Sequence, residues 1–284
     1  MDVPAIGHPE KPAAQRFGEL TPQGHSGWVT FNPPGQYSDD RNLRARQRLW
    51  RDQSPLFDIA GWVLDLAGLA PGARVLDVGC GNGPYLSALR EQGVRAAGCD
   101  LSLGMLRSAP HPALINADVG ALPVLDGAVD VLLAAHMLDI VPDRAAALRE
   151  LRRVLVPGGV CVAVTNGGRN LRSLRELAEN AVRQETPGWR MLSPTRAFAA
   201  ENAAGQLAAV FASVTCVRPE AGPVLIRDAA VAANYVASLA DHYQGETARP
   251  WDDVAGDVHR DVQSVIDRQG VFTTSGDLAA FVCR

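Results

Sequence analysis

Val75-Leu76-Asp77-Val78-Gly79-Cys80-Gly81-Asn82-Gly83-Pro84-Tyr85-Leu86 decides the fold. An apolar run enters a turn rich in glycine and emerges in a helical pattern, so a buried strand is followed by a tight loop and a helix. Glycines at 79, 81 and 83 let the backbone turn sharply and let a ligand approach the amides at the start of that helix. A second strand follows at Ala96 to Asp100 and ends in an acid seventeen residues after Gly83, about where a ribose-binding carboxylate stands in a nucleoside fold. The glycine turn and the acid together point to a nucleoside ligand.

Dinucleotide dehydrogenases share both features, but the turn departs from GxGxxG: position 82 is Asn, position 84 is Pro, and Asp77 stands two residues before the first glycine. A pyrophosphate would be repelled by Asp77, whereas a ligand bearing an ammonium and a sulfonium would be attracted. S-adenosylmethionine is favoured over NAD.

Outward from this stretch, short apolar runs alternate with helical patterns, the signature of a parallel sheet with helices on both faces. Strands are expected at Arg74–Val78, Ala96–Asp100, Leu114–Asn116, Val129–Ala134, Val160–Thr165, Ser213–Arg218 and Ala279–Cys283, with helices at Pro84–Gln92, Leu103–Ser108, Arg144–Val154, Leu171–Arg183 and near Pro194–Phe211. Helical Ala229–Tyr243 and Trp251–Arg268 read as an excursion near the ligand cleft. Upstream, Asp39 to Trp50 reads as a basic helix capped by Asp39 or Asp40, and Pro55 to Leu69 as an amphipathic helix stopped at Pro71-Gly72.

The ordered set VLDVGCGNG, GCDLSLGML, NADVGALP and RVLVPGG resembles the sequential motifs of class I S-adenosylmethionine-dependent methyltransferases of the small-molecule, type 11-like branch, over roughly Arg74 to Thr165. The resemblance implies a Rossmann-like α/β fold: seven strands, mostly parallel, the last inserted antiparallel, with an N-terminal helical arm and a helical excursion before the last strand. It implies the cofactor S-adenosyl-L-methionine, with S-adenosyl-L-homocysteine as product, lying across the strand ends. Carried onto this chain, Asp77 would orient the loop and the methionine end, Gly79 and Gly81 would meet the cofactor through their backbone, and Asp100 would hold both ribose hydroxyls. Leu101 and Met105 would sandwich the adenine, and Asp118 with Val119 would meet its amino edge and ring. After the fourth strand, Ala134-Ala-His-Met-Leu-Asp139 occupies the position that in this family faces the transferred methyl. His136 and Met137 would stand nearest the cofactor, with His136 or Asp139 as general base. In relatives a Tyr or Arg from an N-terminal segment closes over the cofactor carboxylate, and Tyr37, Arg41 and Arg46 are the candidates here, Tyr37 and Arg46 foremost. Asp143 is expected to cap the next helix.

Composition bounds what remains. A chain of 284 residues with 47% hydrophobic and 20% charged content is an ordinary globule, and 27 Lys and Arg against 31 Asp and Glu leave a net charge of -4. That sign is wrong for a protein that lives on phosphate backbones. Asn32-Pro-Pro-Gly35 resembles the tetrad with which DNA amino-methylating enzymes grip an extruded base, but its fourth residue is not aromatic and no strand precedes it, so an ordinary turn is expected. Five cysteines stand singly and read as small buried hydrophobes in a reducing cytoplasm. No metal site, signal peptide or membrane span is expected. The domain reading is an N-terminal arm and lid helix over 1–53 and a catalytic domain over 54–284, its cofactor core at 74–165 and acceptor-cap elements at about 171–210 and 229–268.

The resulting expectation is a cytoplasmic enzyme that methylates an N or O nucleophile of a small metabolite, in secondary metabolism or natural product biosynthesis, with no nucleic-acid or membrane partner and a homodimer left open. Two rivals share the scaffold: a cyclase or rearrangement catalyst that retains the cofactor without transferring its methyl, and a cofactor-binding partner subunit that lacks an acceptor site.

Overall fold

The structure is a computed structural model that describes residues 35–192, 194–243 and 246–284; the expected turn at Asn32-Pro-Pro and most of the N-terminal arm lie outside the described residues. Seven strands form one sheet: β1 (Arg74–Val78), β2 (Arg95–Asp100), β3 (Leu114–Asn116), β4 (Val129–Ala135), β5 (Leu155–Asn166), β6 (Val214–Val217) and, last in the chain, Leu278–Cys283. That last strand, β9, lies between β5 and β6 and runs antiparallel to both. The order β3-β2-β1-β4-β5-β9-β6 puts the reversal of strand order between β1 and β4, and the crevice there opens at the carboxyl ends of the parallel strands.

The central strands read as apolar runs because both of their faces are covered. Leu76, Leu132, Ala134, Cys161 and Phe281 fill one side with α5 (Arg144–Val154). Val75, Val131, Leu133, Val162 and Ala280 fill the other with α2 (Ile59–Ala67) and α3 (Pro84–Glu91). Leu132 and Leu133 are fully buried, each contributing about 1.5 to 3 kcal/mol of hydrophobic stabilisation. Asp143 caps α5 as expected, its Oδ1 accepting from the Ala146 amide at 2.9 Å. The second helix is shorter than Pro55–Leu69: Asp58 caps it by accepting from Gly61, and Gly68 ends it at a φ of 61°.

Three expected elements are corrected. The helix near Pro194–Phe211 is a 3-10 turn, Pro194–Phe198, followed by the short α7 (Ala203–Leu207). The break lets Phe198 enter the sheet core, where its carbonyl accepts from the Thr165 hydroxyl at 2.6 Å. The helix expected over Ala229–Tyr243 divides into α8 (Ala229–Ala237) and α9 (Ala240–Tyr243), at Ser238, whose hydroxyl donates to the Tyr235 carbonyl at 2.6 Å. Cys216 is exposed, because β6 is an edge strand with an open face; the other four cysteines are buried.

A small antiparallel pair, β7 (Val224–Ile226) with β8 (Phe272–Thr274), was not foreseen and closes the base of the excursion. It gathers α6 (Arg172–Arg183), α8, α9 and α10 (Trp251–Gln269) into a second apolar core, the cap, in which Tyr243 stacks on Trp251 at 5.2 Å. The basic helix α1 (Arg41–Trp50) belongs to this cap through fully buried Leu49. The cap therefore faces the strand ends of the sheet across a cleft.

Candidate functional site

One cavity of about 1240 Å³ occupies that cleft. Tyr37, Arg46, Gly79, Gly81, Asp100, Leu101, Met105, Asp118, Val119, His136, Met137 and Asp139 all line it. Asp77 does not: at 1% exposed it lies beneath the loop, with Oδ2 unpartnered. Burial, with the nearby Asp100 charge, pushes the Asp77 carboxyl up to about 7.

The loop's shape follows from its glycines. Gly79, Gly81 and Gly83 have φ of 70°, 55° and 79°, a region costly for any residue with a Cβ. Asp100, at the end of β2, accepts from the Gly81 amide at 2.9 Å and the Ser102 amide at 2.8 Å, so one carboxylate fixes both the loop and the start of α4 (Leu103–Ser108). Burial raises its pKa. Asn82 is explained by α1: its side-chain amide pairs head to head with that of Gln47, at 3.0 and 3.1 Å. Leu101 is exposed on the rim while Met105 of α4 is buried beneath it. Asp118 accepts from the Gly120 amide at 2.8 Å and starts the 3-10 turn that carries buried Val119.

On the far side of the crevice, His136 follows β4 with a φ of 55°, held there by its amide donating to the Val164 carbonyl at 2.8 Å. A non-glycine residue in this region is strained, and such strain gathers at functional positions. Its side chain is exposed to the cavity, and desolvation by the surrounding protein lowers its pKa. Asp139 is buried with Oδ1 unpartnered. Burial raises its pKa to about 6, against the opposing pull of Arg46 and Arg144.

The arm enters the cavity wall as well. The Ser102 hydroxyl donates to the Tyr37 carbonyl. The Arg46 guanidinium stands 5.3 Å from the centre of the Tyr37 ring, and its Nη2 is buried without a partner. On the cap side, Arg175 of α6, Tyr235 of α8 and His242 of α9 complete the wall. Arg175 was missed: on an amphipathic helix it reads as a solvated charge, and no local pattern announces that the cap turns it inward.

The residues fit S-adenosylmethionine. The glycine loop leaves space that a Cβ on Gly79 or Gly81 would take from Met137 or Leu43. Asp100 presents a carboxylate to the cavity that could accept from sugar hydroxyls, and an unpartnered guanidinium nitrogen and a buried carboxylate suit the zwitterionic, sulfonium-bearing end.

Residues 76–163 match the protein family described as a methyltransferase domain. A malonyl-[acyl-carrier protein] O-methyltransferase of Serratia marcescens is 35% identical over 122 residues, 41% of this chain and 48% of that protein. A demethylmenaquinone methyltransferase of Beutenbergia cavernae is 36% identical over 116 residues, 39% of this chain and 45% of that protein. The chain spans about half the length of these curated relatives. A crystal structure from Anabaena variabilis, described as a methyltransferase from an antibiotic biosynthesis pathway, superposes with a TM-score of 0.55 at 17% identity, covering 78% of this chain and 95% of that one. That likeness shows the fold. Among the described residues, no helix is long and apolar enough to cross a membrane.

Proposed function

We propose that the protein, whose residues 76–163 match the methyltransferase-domain family, transfers the methyl group of S-adenosylmethionine to an N or O nucleophile of a small molecule held under the cap. The carrying observation is the single cavity that joins the glycine loop, Asp100 and Asp118 to His136 and Asp139, and then continues beneath α6, α8 and α9. Its volume is above the usual range for one ligand, which supports a cofactor and an acceptor side by side. A cofactor-binding subunit with no acceptor would need no such extension.

In this reading Asp100 holds the ribose hydroxyls, Leu101 and Met105 enclose the adenine, and Asp118 and Val119 meet its edge. Gly79 and Gly81 present backbone to the methionine part, Met137 packs beside it, Arg46 with Tyr37 holds its carboxylate, and Asp77 stabilises its positive charge from below. The bound cofactor supplies an electrophilic methyl carbon on sulfur. The acceptor's lone pair forms the new bond to that carbon as the carbon–sulfur bond breaks and its electron pair stays on sulfur. The protein's share is alignment, exclusion of water, and removal of one proton.

Asp139 is the stronger candidate for that proton. Asp139 lines the cavity with Oδ1 unpartnered, and a carboxylate whose pKa burial raises to about 6 is mostly ionised at neutral pH yet more basic than an ordinary one. His136 stays neutral and hydrogen-bonds the acceptor in line with the methyl. An amine acceptor that arrives with a free lone pair would need no base. A cytoplasmic role in secondary metabolism is the setting we favour.

Calorimetric titration with S-adenosylmethionine, S-adenosylhomocysteine and NAD tests the reading. The first two should bind and NAD should not, since Asp77 disfavours a pyrophosphate. Equal affinity for NAD, or no binding of either sulfur nucleoside, would overturn it.

A further inference from the structure

At the cap end of the cavity the Arg175 charge meets no ion-pair partner among the described residues. Four acids stand on the cavity wall. Asp100 and Asp118 lie at the adenosine end, Asp277 is paired with Arg169 and Arg218, and Asp139 sits beside Arg46 and Arg144. Arg175 takes part in no ion pair among the described residues. One end of its guanidinium is tied to the Gly168 carbonyl, and its Nε is buried without a partner. Tethering in this way fixes the fork in place, so little side-chain entropy is left to lose when a ligand arrives.

Two polar groups from other helices share this end. His242 of α9 is 5% exposed with Nδ1 unpartnered, and it lines the same cavity. Burial and the Arg46 charge hold its pKa near 4, so its ring is neutral and brings no second charge. Tyr235 of α8 lines the cavity close enough to Arg46 and Arg175 to feel both charges. Leu239 and Met191 supply apolar wall beside them. An unpartnered guanidinium donor and an unpartnered imidazole nitrogen, both buried, are costly to leave unsatisfied. Fixed polar groups in an apolar pocket are the arrangement that orients a ligand.

We propose that the methyl acceptor is an organic acid whose carboxylate is bound by Arg175, Tyr235 and His242. The proposal rests on the reading above, in which Arg46 is taken by the cofactor's own carboxylate. One uncompensated guanidinium beside a neutral imidazole matches a single negative charge, which favours a carboxylate over a doubly charged phosphate. The acid thus anchors at the cap, and its nucleophile reaches back toward His136 and Asp139.

The test is calorimetry on the full chain, with and without saturating S-adenosylhomocysteine. The probes are benzoate, 1-naphthoate and 4-phenylbutyrate, each with its methyl ester, and phenyl phosphate. At least one acid should bind about tenfold more tightly than its ester, the worth of one charge-assisted hydrogen bond. Arg175→Met should remove that preference while leaving the affinity for S-adenosylhomocysteine unchanged, Arg175→Lys should restore part of it, and Tyr235→Phe should weaken it in a chain that folds normally. Acids that bind no better than their esters, a preference for phenyl phosphate, or a preference that survives Arg175→Met would overturn the proposal. Acid binding in a protein that ignores S-adenosylhomocysteine would keep the carboxylate site but overturn the cofactor reading, and with it the acid's role as methyl acceptor.

Discussion

Gly79 faces Met137 so closely that a Cβ on the glycine would lie 2.7 Å from both Cβ and Cγ of the methionine. The glycine loop after β1 and the segment after β4 thus touch across the reversal of strand order, and a φ of 70° independently penalises a side chain there. Gly79→Ala combines a left-handed backbone penalty with overpacking. It should destabilise the fold by roughly 2 to 4 kcal/mol in urea unfolding and weaken S-adenosylhomocysteine binding. A variant with unchanged stability would show that Met137 can move aside freely.

Asp100 shapes the loop and, in the proposed reading, also holds the ribose. Asp100→Ala should weaken S-adenosylhomocysteine binding by roughly 2 to 4 kcal/mol, through lost charge-assisted bonds to the ribose and released Gly81 and Ser102 amides. Asp100→Asn, which keeps an acceptor oxygen, should lose less. Calorimetric affinity equal to the parent's would remove Asp100 from the site.

The sheet and the residues that its strand ends bring to the cavity were legible because their information is local. Val75 to Val78 are buried, the loop glycines alternate within one turn, Asp100 ends a short strand and Asp118 follows another. The cap was far less legible. β7 and β8 are three residues each and find one another across the whole excursion, a pairing that no periodicity encodes. The division at Ser238 depends on hydrogen bonds to Tyr235 and, from Gln36, to the Ser238 carbonyl at 3.0 Å, and the second is a long-range contact. Arg175 and His242 acquire meaning only once four helices meet. Asp77 was recognised as important to the loop, yet its depth beneath the cavity wall could not be read from its position in the motif.

That depth gives Asp77 a measurable proton. Its folded pKa of about 7 stands above the ordinary carboxylate value of 3.8, because burial and Asp100 disfavour the charge. Between those values the native state holds a proton that the unfolded chain has released, so this group's contribution to stability falls as pH rises from about 4 to 7. His136 and His242, whose pKa values the structure lowers, act with the opposite sign over much of that interval, so the total stability profile would blur the effect. Proton release on binding isolates it. A sulfonium above Asp77 should lower its pKa, so S-adenosylmethionine binding near pH 7 should release part of a proton, with less released by the uncharged thioether of S-adenosylhomocysteine. Titrations in two buffers of different ionisation enthalpy measure this, and Asp77→Asn should abolish the difference between the two ligands. Identical release in the parent and the variant would assign the proton to another group.

The last prediction concerns how the arm is held over the site. Gly104 of α4 has no room for a side chain, because a Cβ there would run into the carbonyl oxygen of Ser38, and the neighbouring Ser102 hydroxyl binds the Tyr37 carbonyl. The segment before α1 therefore rests on the helix that carries Met105. Gly104→Ala should leave α4 intact, since alanine is the better helix former by about 1 kcal/mol. It should nevertheless push Ser38 and Tyr37 away, and with Tyr37 the stacking partner of Arg46. Affinity for S-adenosylhomocysteine should fall about tenfold if Arg46 holds the ligand's carboxylate in a charge-assisted pair, while the unfolding midpoint changes little. Arg41 and Arg44 are exposed at the start of α1 and give trypsin its access there. In the parent protein S-adenosylhomocysteine should slow cleavage at these two arginines, as expected when closure over a ligand suppresses local opening. In Gly104→Ala that protection should be lost, and restoring the space with Gly104→Ala combined with deletion of residues 1–38 should bring back cofactor affinity only in part, since Tyr37 is then absent. Equal protection in the parent and Gly104→Ala would show that the arm is held by the cap through Leu49 alone, and that its contact with α4 has no part in closing the site.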